Sequence, residues 1–365
     1  MQLAIPSMLM RGGTSKGLYF NASDLPNDIE ARDRILLAAM GSPDARQIDG
    51  MGGAHPLTSK VAIVSPSSAD DVDIDYLFLQ VMVDKGVVSD AQNCGNILAG
   101  VGPYAIESGM IPPAGAITDV RIRMLNTGAK AIARVEAPKG QVEYEGNARI
   151  DGVPGTASPV SIDFLDIAGS SCGALLPTGQ AKSLIQNTEV TCIDNGMPVV
   201  LLRASDFGLT GSESPETLEA NSELKQRIEA IRLEAGSLMN LGDVTDKTVP
   251  KMSLISPALN GGTVNTRTFI PHRVHEAIGV LGSVSVATAC MLPGTVAEQI
   301  VREFTDDAIS QLSIEHPTGS FIVEMEIAHD EQGGVSVLRA ALLRTARLLM
   351  RGEVYVPSSL VEGLK

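Results

Sequence analysis

The sequence predicts a mixed α/β chain built as two similar halves, each a set of strands with one apolar helix. Three observations carry this prediction. Strand-like segments dominate, and each half holds one strongly apolar helical run, entered near Gly95 and near Gly282. No strand–helix–strand alternation opens on a GxGxxG turn, which argues against a doubly wound dinucleotide fold. Landmarks of the first half also return, in the same order, in the second, which marks an internal repeat.

At 365 residues the chain has room for two domains. A hydrophobic content of 44% against 19% charged residues describes a chain with a core. Aromatics are only 3% and Trp is absent, so that core is aliphatic. The net charge of −15 speaks against a nucleic-acid partner, and an anionic ligand would need positive charge gathered locally. Cys94, Cys172, Cys192 and Cys290 stand far apart with no CxxC pair, so neither a metal site nor a disulfide framework is expected. The first ten residues, broken by Pro6, lack the layout of a signal peptide. No apolar run approaches the roughly 20 residues of a spanning helix. A cytoplasmic protein without membrane contact is expected.

In chain order, Leu9 to Asn21 reads as strand, glycine turn, strand. Gly12, Gly13, Thr14 and Ser15 put backbone N–H groups and two hydroxyls in one turn, suited to an anion or simply to closing a hairpin. Asp24 to Met40 reads as a short helix. Gly50 to Val64 is a glycine-rich loop running into a strand, with Lys60 at the strand's start. A lysine there is either a solvated edge charge or, partly desolvated, a general base. Asp73 to Val83 is a further strand. In Asp90 to Gly100 a loop enters a buried helix with Cys94 at its N-terminus, where unpaired N–H groups favour a thiolate or an anionic ligand. The plain alternative is a buried, inert thiol. Val120–Leu125, Ala129–Val135, Gln141–Tyr144, Val160–Phe164 and the Gly169–Leu176 region continue the β pattern. Helical spacing over Glu216–Leu241 and Arg339–Met350 predicts two surface helices.

The repeat aligns Met8–Leu25 with Val190–Phe207, both closing on Ala-Ser-Asp followed by Leu or Phe, and Gly13-Thr14 with Asn195-Gly196. It aligns Ser59–Pro66 with Pro250–Pro257, and Gly95–Ala99 with Gly282–Val286. The halves implied are residues 1–185 and 186–365, the last strand or helix returning to the first half. Two helix N-termini turned toward a cleft between such halves would suit a multiply charged anion. Leu281 stands where the first half has Cys94, so one half carries a thiol and the other does not.

Met10-Arg11-Gly12-Gly13-Thr14-Ser15-Lys16-Gly17, Thr58-Ser59-Lys60 and Asn93-Cys94-Gly95-Asn96 resemble the methylaconitate isomerase and 4-oxalomesaconate tautomerase family, which has the diaminopimelate-epimerase fold. The resemblance covers essentially the whole chain. Met40–Gly50, Cys192–Pro198 and Asn260–Arg267 are most similar to its tautomerase branch. It implies two similar α/β halves, each a β-barrel-like sheet wrapped around a central helix, with the active site in the cleft between them. It implies an isomerase that uses no cofactor and shifts a proton in a keto–enol or allylic system, with Lys60 and Cys94 as the catalytic pair. Epimerases of this fold set one cysteine on each side of the substrate carbon; with Leu281 in the second place, a proton shift fits better than two-thiol racemisation. The residues leave open which of Lys60 and Cys94 removes the proton. Arg11, Gly12, Gly13, Thr14, Ser15, Gly95, Asn96, Arg267, His272, Arg273, Gly282 and Ser283 are the expected substrate-binding residues, arginine because it can clamp a carboxylate bidentately. The expected partner is a small tricarboxylate, and a homodimer is compatible with this picture. An aconitate-type substrate, or a non-catalytic carboxylate-binding protein of the same fold, are the competing readings.

Overall fold

Alternating burial along its strands organises each half of the molecule. The computed structural model describes residues 1–90, 93–271, 273–301, 309–329 and 335–361. The chain packs as two compact units, Met1–Leu165 with Arg344–Lys365, and Asp166–Leu343. The first unit runs β1 (Gln2–Gly12), β2 (Ser15–Asn21), α1 (Ile29–Met40), β3 (Lys60–Pro66), β4 (Ile74–Val81), β5 (Val88–Ser89), α2 (Gly95–Leu98), α3 (Val101–Glu107), β6 (Ile117–Met124), β7 (Lys130–Glu136) and β8 (Pro159–Leu165). The second runs β9 (Ser183–Ile185), β10 (Thr188–Asp194), β11 (Pro198–Arg203), α4 (Pro215–Ala220), α5 (Ser222–Leu238), β12 (Lys251–Ser256), β13 (Val264–Ile270), β14 (Arg273–Val274), α6 (Val280–Met291), β15 (Ile309–His316) and β16 (Gly319–His329). The last strand, β17 (Val335–Pro357), begins in the second unit and ends in the first.

In the first unit β1 and β2 form a hairpin, β2 runs parallel to β3, β3 antiparallel to β4, β4 parallel to β6, and β6, β7 and β8 form a meander. The second unit repeats this pattern with β10, β11, β12, β13, β15, β16 and the first part of β17. The registers agree at the first parallel pair, where Gly17 stands beside Lys60 and Val199 beside Lys251. The repeat anticipated from the sequence is therefore a repeat of strand connections. Pro6 lies in β1 before β2 begins to pair at Met8, so its missing N–H removes no bond on that side.

Each sheet has an outer and an inner face. Leu18, Phe20, Val61, Ile63, Leu79 and Val81 form one cluster with Ile35, Leu36, Ala39 and Met40 of α1. Alternation sends Tyr19, Lys60, Ala62 and Phe78 to the opposite face, which carries α2 and α3. Likewise Val200, Leu202, Met252, Leu254 and Phe269 pack on α5, and α6 lies on the other face. The expected helix at Arg339–Met350 is instead the middle of β17. Consecutive residues from Ala340 to Leu342 and from Arg344 to Ala346 are buried, and a strand covered on both faces shows an unbroken apolar run that imitates helical spacing. Gln141–Tyr144 and Gly169–Leu176 are not strands. The latter is a turn built on Asp194, whose carboxylate accepts from Ser171 N at 2.7 Å and Cys172 N at 2.8 Å. The helix read over Glu216–Leu241 breaks at Asn221, whose side chain caps α5 by accepting from Leu224 N at 3.0 Å. Among the described residues no helix is long and apolar enough to cross a membrane.

Candidate active site

The close approach of β2 to β3 sets Lys60 in place. A Cβ at position 17 would come within 2.2 Å of the Lys60 carbonyl oxygen, so only glycine lets the two strands pair there. Lys60 is 6% exposed, and its ammonium lies 5.0 Å from the centre of the Phe78 ring. Nζ reaches Cys94 Sγ at 3.5 Å.

Cys94 is the N-cap of α2 with φ −131°, and its side chain makes no capping bond, which leaves the thiol turned to Lys60. Its carbonyl is held instead, accepting from Leu98 N at 3.0 Å and Tyr76 OH at 3.4 Å. Cys94 is half-buried, whereas Cys172, Cys192 and Cys290 are buried and pushed up to about 12, chiefly by desolvation. Tyr19 and Tyr76 flank the site from the same face. Burial first, and negative charge at Cys94 second, hold both phenols well above their usual range, so they stay hydrogen-bond donors. Tyr19 OH donates to Ile97 O at 2.6 Å.

The glycines of the first motif serve packing. A Cβ on Gly12 would fall 2.4 Å from Asn96 O, and one on Gly13, whose φ is 51°, 2.2 Å from Asn96 Oδ1. The turn's amides are already engaged: Gly13 N–H donates to Thr345 O at 2.9 Å and Thr14 N–H to Asn96 Oδ1 at 3.4 Å. The backbone cradle expected at Gly12 to Ser15 is therefore closed. What the turn still offers is hydroxyl and guanidinium. Ser15 Oγ is buried without a partner among the described residues. Arg11 braces the turn through Nη1, which donates to Gly13 O at 2.9 Å and to Thr345 O and Oγ1 at 3.0 Å. Burial, and then the neighbouring Arg347, lower the Arg11 pKa. Arg11, Thr14, Ser15 and Arg347 line a cavity of about 990 Å³ in this unit, and neither Lys60 nor Cys94 borders it.

Thus Lys60, Cys94, Gly95, Asn96 and the Gly12–Thr14 turn come together in the first unit. In the second, Arg267 is buried and braces its own surroundings, with Nε to Glu213 O at 2.7 Å and Nη1 to Asn265 Oδ1 at 2.9 Å and Thr266 O at 2.8 Å. Arg273 is exposed on β14, and His272 lies outside the described residues. Helix α6 is capped by Gly279, three residues before Gly282. Ser283 is buried and donates to Val280 O at 2.7 Å within its own helix, so its hydroxyl is engaged. The residue at the cap corresponding to Cys94 is then Gly279, while Leu281 falls inside the first turn; neither alignment supplies a second thiol. Tyr19, Tyr76, Phe78 and Thr345 escape a motif-based reading. Their only signal is the inward phase of alternation on β2 and β4, and for Thr345 a strand that reads as a helix.

A family model described as PrpF protein matches residues 2–357. The chain belongs to the PrpF family. It is 60% identical over 351 residues to (4E)-oxalomesaconate Delta-isomerase of Novosphingobium sp. (strain KA1), covering 96% of this chain and 97% of that one. It is 58% identical over 355 residues to 4-oxalomesaconate tautomerase of Pseudomonas putida, covering 97% of each. A crystal structure of methylitaconate-delta-isomerase superposes with a TM-score of 0.88 at 34% identity, over 99% of this chain and 98% of that chain. The mixed α/β fold expected from the resemblance is the fold of this PrpF protein, and like these relatives it is an isomerase.

Proposed function

We propose that the protein interconverts 4-oxalomesaconate and its enol, 4-carboxy-2-hydroxymuconate, by a proton shift needing no cofactor, a step of gallate breakdown in the cytoplasm. The observation that carries this reading is the Lys60 Nζ–Cys94 Sγ pair at 3.5 Å, with no thiol at the corresponding helix start of the second unit. Two groups that can each hold or release a proton stand side by side, which suits lifting a proton from one atom and placing one on another. A C–H bond next to the carbonyl breaks, and its proton passes to one member of the pair. The electrons spread over the conjugated oxygens as a dienolate. A proton from the other member then closes the new O–H bond. Amides at the start of α2 and the donors around Asn96 stabilise the transient negative charge. The substrate's own carbonyl and carboxylates make the C–H acidic. Arg11, Ser15 and Asn96 of the first unit are the proposed carboxylate contacts.

A second reading, isomerisation of 2-methylaconitate or a related aconitate, rests on more distant relatives: 2-methyl-aconitate isomerase of Shewanella oneidensis is 34% identical. The identities near 60% favour the first. Following diene absorbance with both substrates separates the two. Lys60→Ala and Cys94→Ser should fold normally and lose about 10²–10⁴ in kcat, the usual contribution of general acid–base catalysis. Full activity in either variant sinks the pairing. Solvent deuterium entering the substrate, read by NMR, separates an enzyme from a mere carboxylate binder.

A further inference from the structure

Three cations stand in one row across the sheet of the first unit. Arg347 of β17 pairs with Arg11 of β1, and Arg11 pairs with Lys16 of β2. Directly opposed residues share a face with their Cβ atoms about 5 Å apart, and like charges so placed repel. The repulsion is felt at Arg11, whose pKa is lowered by burial and then by Arg347. None of the three forms an ion pair among the described residues, in a chain with 43 acidic against 28 basic residues. Elsewhere in the same unit Arg121, Arg123 and Arg134 have found Asp73, Asp75 and Asp163.

All three cations line the cavity of about 990 Å³, a volume at the large end for small-ligand sites. Glu145 is the only acidic residue of the lining; it is exposed and pairs with none of them. The donors of the cavity are unspent. Arg11 commits only Nη1 to the turn, so its Nε–Nη2 edge, which can grip a carboxylate side-on, makes no hydrogen bond among the described residues. Arg347 is exposed and Lys16 half-buried, and neither side chain has a hydrogen-bond partner there. Ser15 is 1% exposed, lines the same cavity, and its Oγ has no partner. A buried hydroxyl left unpaired costs free energy until a ligand supplies the partner. Neighbouring strands lie about 4.8 Å apart, a separation that carboxylates on nearby carbons of a short chain can match. A single phosphate spans less of the row.

We propose that the cavity binds a small polycarboxylate, with Arg347, Arg11 and Lys16 gripping its carboxylates and Ser15 donating its hydroxyl. The site lies wholly within the first unit. It requires no particular reaction at Lys60; the isomerase reading enters only in deciding whether the anion is the substrate itself or a second molecule. Calorimetry with propane-1,2,3-tricarboxylate tests the site without turnover. The wild type should bind, and Arg347→Met and Lys16→Met should each weaken binding about 10- to 100-fold, as for the loss of one hydrogen bond between charged groups. Arg347→Lys should recover much of the affinity. With one repelling charge gone, Arg347→Met should keep or raise its urea midpoint, whereas loss of a bracing residue would lower it. Absence of binding by the wild type, equal affinity in Arg347→Met, or tighter binding of inorganic phosphate than of the tricarboxylate overturns the proposal. If Lys16→Met does not fold, Arg347→Met decides. Kinetics then identify the source of the anion. A KM for oxalomesaconate that rises in Arg347→Met by the same factor as the calorimetric Kd makes it the substrate. An unchanged KM with weakened calorimetric binding makes it a second polycarboxylate. Failure of the wild type to turn over oxalomesaconate counts against the proposed function and leaves the calorimetric result standing.

Discussion

Cys94 stays turned to Lys60 because of a missing bond. A serine or aspartate at the same cap would be drawn to the helix amides, whereas the thiol is a weak acceptor and stays available to Lys60. Because the other three thiols are buried, iodoacetamide at pH 8 should add once to the folded protein, at Cys94, and four times after unfolding in urea; intact mass reads the count. Gly13→Ala should be costly for two reasons, its φ of 51° and the 2.2 Å overlap with Asn96 Oδ1. The conformational part alone is about 1–2 kcal/mol, seen as a lower urea midpoint, with activity falling because Asn96 moves. That Lys60 opens a strand and Cys94 a helix was legible in the sequence, because glycines and strand or helix starts are local signals. The engagement of Arg267 was not. Its partner, the Glu213 carbonyl, is far along the chain, and nothing in the Asn265–Arg267 stretch announces it.

Elements were legible where one face is wet. Burial in β6 and β7 alternates cleanly, and both were read to within a few residues. β17 was misread because its middle is buried on both faces, which erases the period of two. The start of α6 was placed late because Val280 and Leu281 carry no cap signature and Gly279 caps without a side chain. Within α5, Arg232 is fully buried and ties the connection to β12, donating to Val244 O at 2.8 Å and Val249 O at 3.0 Å and pairing with Glu229. Arg232→Met should cost about 3–5 kcal/mol in urea unfolding, because buried acceptors lose their donor. Relieved of that neighbouring charge, Lys251 should hold its proton to higher pH.

For the molecule as a whole, alkaline pH is the weak side. Cys172, Cys192 and Cys290 sit at about 12 when folded against 9.0 in an unstructured chain. The folded state keeps protons that the unfolded state gives up, so this stability is present below pH 9 and lost as pH rises toward 12. Lys251 works the other way, gaining stability between 8 and 10.5, but with one proton against three. Tyr19 and Tyr76, held well above their usual range by burial, act in the same direction as the thiols once free phenols ionise near pH 10. Urea midpoints at pH 8 and 10 test this, and replacing the three thiols by alanine should flatten the decline.

The route of β17 sets an order of manufacture. Met10, Arg11 and Gly12 pair with Leu348, Arg347 and Ala346, so the strand that leads into the Gly13 turn gains its second neighbour from the far end of the chain. A nascent protein emerging from the ribosome can close its second unit before its first. Until residues near 350 appear, β1 is an open edge, and Thr345 has not yet arrived to receive the Gly13 amide. The turn that packs against Asn96 is therefore completed only when synthesis is nearly finished, although Lys60 and Cys94 are made in the first third of the chain.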